Sequence, residues 1–159
     1  MKGRIKMEKI RGFEIAKGFE DKNINLPIRK TKYSAGYDIE AAEDVTIPSF
    51  KKGTNPTLIK TGLKAYMQDD EMLLLYNRSS NPKKKGLILA NSVGVVDKDY
   101  YGNSDNDGHI MFAFYNIKEE DIEIKKGEVI GQGIFQKYLV TDNDSAEGER
   151  MGGFGSTNK

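Results

Sequence analysis

The stretch His109-Ile110-Met111-Phe112-Ala113-Phe114-Tyr115-Asn116 decides the fold. Ile110, Phe112 and Phe114 fall on one side of an extended chain, and Met111, Ala113 and Tyr115 on the other, which is the period of a β-strand. Working outward, Phe13-Glu14-Ile15, Tyr37-Asp38-Ile39, Val45-Thr46-Ile47 and Leu58 to Leu63 read as strands bounded by Gly, Pro, Asn or Ser. Met72-Leu73-Leu74-Leu75-Tyr76 and Leu87 to Ala90 are continuous apolar runs, so they predict strands buried on both faces. Val129 to Val140 predicts one more. About ten short strands with no helical stripe predict an all-β sandwich or barrel.

The connections carry their own signals. Ser80-Asn81-Pro82-Lys83-Lys84-Lys85-Gly86 is polar and has room for one helical turn, and Gly102 to Gly108 is dense in turn formers. Residues 141–159 lack a core pattern and read as a mobile tail. The expected division is therefore a β-barrel domain over 1–140 and a glycine-rich tail over 141–159.

Composition removes several classes of chemistry. The 159 residues suit one domain, and a net charge of +1 gives no overall pull toward nucleic acid or an anionic membrane. With no Cys, thiol catalysis and Cys-ligated zinc are excluded, and His109, the only His, cannot form a multi-His metal site. A lone His of this kind reads as a surface or hairpin residue. No apolar run reaches the ~18 residues of a membrane span, and the charged N-terminus does not read as a signal peptide. Catalysis must rest on carboxylates, hydroxyls, Lys or Arg, or a metal carried by the ligand.

Three places suit phosphate or nucleotide chemistry. Gly152-Gly153-Phe154-Gly155-Ser156-Thr157 sets one ring among glycines whose N–H groups can approach an anion. Its bland alternative is a flexible end whose Phe docks on the core. Arg78-Ser79-Ser80 follows a buried strand and precedes Lys83-Lys84-Lys85, an arrangement of donors and positive charge that suits phosphate. An ordinary turn with a solvated basic run is the alternative there. In Gly94-Val95-Val96-Asp97-Lys98-Asp99-Tyr100-Tyr101-Gly102, Asp97 follows an apolar pair that would partly desolvate it as a base. Asp97 and Asp99 would share a strand face if the strand continued; the alternative is a hairpin corner with two exposed acids. Asn103 to Gly108 imitates the start of a calcium-binding EF-hand loop, but Phe114 stands where its bidentate Glu is required.

Five segments in order resemble the trimeric dUTP pyrophosphatase (dUTPase) family. They are Ala35-Gly36-Tyr37-Asp38, Arg78-Ser79-Ser80, Gly94 to Gly102, Gly127 to Phe135 and Gly152 to Thr157. The resemblance implies a jelly-roll-like β-barrel, a homotrimer with sites between protomers, and a tail that closes over a neighbouring site. It implies hydrolysis of dUTP to dUMP and pyrophosphate, with Mg²⁺ held by the triphosphate and water rather than by protein ligands. Asp97 resembles the general base, and Tyr100 the ring packed against deoxyribose. Asn91 and backbone groups near Gly94, Ile110 and Met111 resemble the uracil pocket. Arg78, Ser79, Ser80 and Gln132 resemble the phosphate clamp. Phe154 resembles the ring stacked on uracil, Gly155, Ser156 and Thr157 the phosphate wrap, and Arg150 the arginine that meets the γ-phosphate. Asp38 resembles a mainly structural residue near the site.

The pattern departs from the family in four places. Val129 stands where Arg is common, Arg150 lies one residue closer to Gly152 than in many relatives, and Asn158 replaces a usual Gly. Asn103 to Gly108 is an insertion, and it is where a protein partner would be sought. A dCTP deaminase of the same fold and a nucleotide-sensing trimer that regulates a protein partner are the alternative functions; a structural β-sandwich is a third. The expected location is the cytoplasm of a bacterial or phage-infected cell, with no membrane or direct nucleic-acid contact.

Overall fold

The structure is a computed structural model that describes residues 8–153. Its strands are β1 (Gly12–Ile15), β2 (Tyr37–Glu40), β3 (Val45–Ile47), β4 (Thr57–Lys60), β5 (Leu63–Tyr66), β6 (Glu71–Asn77), β7 (Leu87–Leu89), β8 (Gly94–Asp97), β9 (Met111–Asn116), β10 (Ile122–Ile124) and β11 (Val129–Lys137). All pair antiparallel, in the orders β2-β11-β6-β8, β4-β9-β7, β1-β5 and β10-β3. Among the described residues these remain four sheets rather than one closed ring of hydrogen bonds. No helix among them is long and apolar enough to cross a membrane.

The alternation in 109–116 does what its period requires. Ile110, Phe112 and Phe114 are essentially inaccessible, and the rings of Phe112 and Phe114 lie 6.1 Å apart and nearly parallel. They meet Ile39, Ile59, Leu63, Leu73, Leu87 and Ile130 in one core. Each fully buried side chain of this size contributes roughly 1.5–3 kcal/mol relative to exposure. On β6, Leu73, Leu74 and Leu75 are all buried, as a strand covered on both faces should be. β7 differs: Ile88 is exposed while Leu87 and Leu89 are buried, because the edge of a three-stranded sheet has only one face on the core.

The single strand expected over Leu58 to Leu63 is two strands. Gly62 takes a left-handed φ of 70° and ends the extended run. Thr61 Oγ1 fixes the corner by donating to Ile110 O at 2.6 Å and accepting from Leu63 N at 3.2 Å. His109 is buried rather than on the surface: its Nε2 accepts from Gly62 N at 3.0 Å, and its ring packs on Phe19. Burial, with Lys60 nearby, pushes its pKa down to about 4. The corner and the lone histidine are one structure.

β11 ends at Lys137, three residues before the expected Val140, and residues 141–149 are exposed. A register shift between Val129 and Gly131 bends its start. Gly131 is required there, since a Cβ would collide with the Phe112 ring and with Tyr76 O. The Ser80–Gly86 connection forms the expected single helical turn, a wide one over Asn81–Lys85.

Candidate active site

The third-motif segment builds one wall of a cleft of about 290 Å³. β8 turns Val96 inward and leaves Val95 and Asp97 outward, so the apolar pair does not desolvate Asp97. In the single chain its side chain keeps 55% of its accessibility. The strand stops at Asp97 and a helical turn follows over Lys98–Tyr100, so Asp97 and Asp99 do not share a strand face as an extended run would have required. That turn swings Tyr100 inward until it is 8% exposed, and burial raises its pKa.

The cleft brings Asn91, Gly94, Asp97, Tyr100, Ile110, Met111 and Arg150 together. Arg150 closes its rim. Its Nη2 donates to Asp97 Oδ2 at 2.6 Å and its Nε to Asp99 Oδ1 at 2.7 Å, while the guanidinium lies 5.9 Å from the Tyr100 ring centre. The hydrogen bond to Asp99 is the main reason its pKa stands above the ordinary arginine value. One guanidinium thus spans both acids. Beyond it, Ser104 Oγ donates to Met151 O at 3.2 Å, and Gly153 N donates to Asp105 Oδ2 at 2.9 Å. Residues Phe154, Gly155, Ser156 and Thr157 lie outside the described residues.

Arg78, Ser79, Ser80 and Gln132 are not in this cleft. They gather where β6 ends beside the start of β11. Arg78 Nη1 donates to Val129 O at 3.2 Å, and Gln132 Nε2 to Asn77 O at 3.3 Å. Gly36 permits this approach, because a Cβ there would collide with Gln132 Oε1. Asp38 sits across from Gln132 in the β2–β11 register, so the first motif borders this second patch. Lys85 pairs with Glu128, and its pKa is lowered chiefly by burial and secondarily by Arg78. The patch thus gathers the Arg78 guanidinium, the Gln132 amide and the two serine hydroxyls, donors suited to phosphate oxygens.

Two residues at these sites were not singled out in the sequence. Asn81 is buried and holds the Arg-Ser-Ser turn by donating from Nδ2 to Asn77 Oδ1 at 2.8 Å and to Ile130 O at 2.9 Å. Its signal was an Asn before Pro immediately after the motif. Asn106 lies within the 103–108 segment and donates from Nδ2 to the Tyr100 hydroxyl at 2.8 Å. The calcium resemblance of that segment leads nowhere: Asp107 is taken by Lys64 and by Lys17 N. Among the described residues no group of three or more acidic, His or Cys side chains is placed to hold a metal ion.

Comparison with known proteins gives the chain a family. The dUTPase family model matches residues 22–158. The deoxyuridine 5'-triphosphate nucleotidohydrolase of Lactococcus lactis is 56% identical over 151 residues, which cover 94% of this chain and 98% of the relative. A crystal structure of the dUTPase from Streptococcus mutans superposes with a TM-score of 0.77 at 45% identity, covering 83% of this chain and 99% of that one. The dUTPase of Staphylococcus bacteriophage 80alpha shares the fold at a TM-score of 0.68 and 20% identity, covering 90% of this chain and 99% of that one. The all-β fold is that of the dUTPase structures it matches. The chain belongs to the dUTPase family.

Proposed function

We propose that the protein hydrolyses dUTP to dUMP and pyrophosphate, with Asp97 as the general base. Kinship to a dUTP nucleotidohydrolase at 56% identity carries the reading, and the cleft supports it by bringing Asp97 and Tyr100 together. A water oxygen attacks the α-phosphorus, its proton passes to the Asp97 carboxylate, and the bond to the α,β-bridging oxygen breaks to release pyrophosphate. A positioned base typically contributes ~10²–10⁴-fold.

The cleft is at the small end of the ~300–1,000 Å³ usual for ligand sites. That volume suits a nucleoside, so the triphosphate extends beyond it. Asn91 and the backbone near Gly94, Ile110 and Met111 read the uracil edge, and Tyr100 lies against deoxyribose where a 2′-hydroxyl would clash. Arg78, Ser79, Ser80 and Gln132 then clamp phosphates as charge develops on the leaving pyrophosphate. Within one chain that clamp is at the far end of β6, which supports a homotrimer whose sites combine neighbouring protomers. Each protomer would be a jelly-roll barrel over 1–140, with 141–159 as the tail. In that assembly the tail would leave its own chain, where Arg150 is bonded to Asp97 and Asp99, and close a neighbouring site: Arg150 meets the γ-phosphate, Phe154 stacks on uracil, and Gly155, Ser156 and Thr157 wrap the phosphates.

The donors around the cleft fit Mg²⁺ only through the substrate. Asp97 and Asp99 are bridged by Arg150, Glu128 at the second patch is paired with Lys85, and among the described residues no cluster of three carboxylates awaits a hard cation. When bound with the triphosphate, Mg²⁺ would neutralise phosphate charge. The location we propose is the cytoplasm, where deoxynucleotide pools lie.

Pyrophosphate release from dUTP, dCTP, dTTP and UTP tests the reading. Release is expected from dUTP alone, falling by about 10²-fold or more in an Asp97→Asn variant that remains folded. Full activity in that variant removes Asp97 as the base. Ammonia from dCTP would make the protein a deaminase instead.

A further inference from the structure

We infer that the inserted segment Asn103–Gly108 is a specificity element in which Asn106 positions Tyr100, and so sets discrimination against ribonucleotides. The inference rests on Tyr100 facing the sugar.

Tyr100 is held by its hydroxyl from two sides. The hydroxyl donates to His109 O at 2.8 Å and accepts from Asn106 Nδ2 at 2.8 Å. His109 is itself fixed in the buried corner with Gly62. One of the two restraints on Tyr100 is thus core structure, and the other is supplied by the insertion.

The orientation of the Asn106 amide is fixed by its surroundings. Its Oδ1 accepts from Gly108 N at 3.1 Å and from Asn103 Nδ2 at 2.8 Å. A flipped amide would set NH₂ against two donors, so Nδ2 must face the tyrosine. Asn103 in turn donates to Tyr100 O at 2.7 Å and accepts from the backbone N–H groups of Asp105 and Asn106. The loop is folded around the tyrosine rather than extended into solvent.

It is also anchored to the body of the protein. Asp107 Oδ2 accepts from Lys17 N at 2.8 Å and from Lys64 Nζ at 2.7 Å. Gly108, with φ at 83°, packs so closely that a Cβ would collide with Tyr100 O and Tyr101 Cα. Such a loop can hold a ring to within the fraction of an ångström on which steric rejection of a hydroxyl depends. The rejection requires a rigid wall, since a ring free to rotate away would admit the 2′-hydroxyl.

The test uses the full-length protein and the ratio of kcat/KM for dUTP to that for UTP. Asn106→Asp keeps the acceptor that folds the loop but sets a second acceptor against the Tyr100 hydroxyl, whose one proton can then hold only one of its two partners, while Tyr100→Phe removes the bonds to both Asn106 and His109 O. Each is expected to lower the ratio by about tenfold, chiefly by raising activity on UTP, and the double variant to lower it no further. A purely structural role would reduce activity on both nucleotides together and leave the ratio unchanged. A ratio within about twofold of the parent in Asn106→Asp, with a fall in Tyr100→Phe, overturns the role of Asn106. An unchanged ratio in Tyr100→Phe overturns the inference together with the sugar-facing reading of Tyr100. Should Asn106→Asp fail to fold, Asn106→Ser, which also removes the amide donor to Tyr100, is read in the same way.

Discussion

Asp97, at the tip of β8, and Arg78, just past β6, stand beside opposite ends of β6. Asp97 pairs across from Met72 near the start of β6, and Arg78 follows its last residue, Asn77. At about 3.3 Å per residue this sets them about 20 Å apart along the strand. In the function proposed above, a nucleoside triphosphate seated on the Asp97 of one chain would draw on the Arg78 of another.

That separation predicts complementation. Asp97→Ala and Arg78→Ala are each expected to be inactive on dUTP. Unfolding and refolding an equal mixture should restore about a quarter of the parent rate, the fraction of shared sites that draw both intact residues in a symmetric trimer. Pyrophosphate release from the mixed refold checks this. A mixture as inactive as its parts would place both residues in one protomer's site.

His109 predicts a dependence of stability on pH. Its folded pKa of about 4 lies below the 6.5 of the unfolded chain, so between these values the unfolded state binds the extra proton. Its stabilising contribution is complete above pH 6.5 and is lost as pH falls toward 4. The total is up to about 3 kcal/mol. Denaturant unfolding at several pH values should show this decline, and His109→Gln should flatten it.

Gly131→Ala is expected to destabilise the fold by about 1–3 kcal/mol through overpacking, because the added methyl meets both a core ring and a backbone carbonyl. Tyr76 O cannot retreat, since Tyr76 pairs across from Gln132 in the β6–β11 ladder. A shift in the urea midpoint at constant slope would measure the effect.

What the sequence revealed follows from what is periodic. The alternation in 109–116 and the apolar run at 72–76 signalled β9 and β6 because burial acts on side chains at fixed spacing. β10 escaped although Ile122-Glu123-Ile124 carries the same triplet pattern as Val45-Thr46-Ile47, because the charges of 118–121 and 125–126 surround it, and β5 was hidden by the run that Gly62 breaks. At the site, Asp97, Tyr100 and Arg78 were legible through their motifs. Asn81 and Asn106 were not, since each acts through a buried amide that reaches a partner set by the fold. The exposure of Asp97 was misread because an apolar pair on a strand sends one side chain to each face.

Hydrolysis in ¹⁸O-labelled water tests the central claim most directly. With Asp97 directing water to the α-phosphorus, a single turnover of dUTP should place the label in dUMP and leave pyrophosphate unlabelled. Label in the pyrophosphate, with dUMP unlabelled, would put the attack on the β-phosphorus and contradict the account.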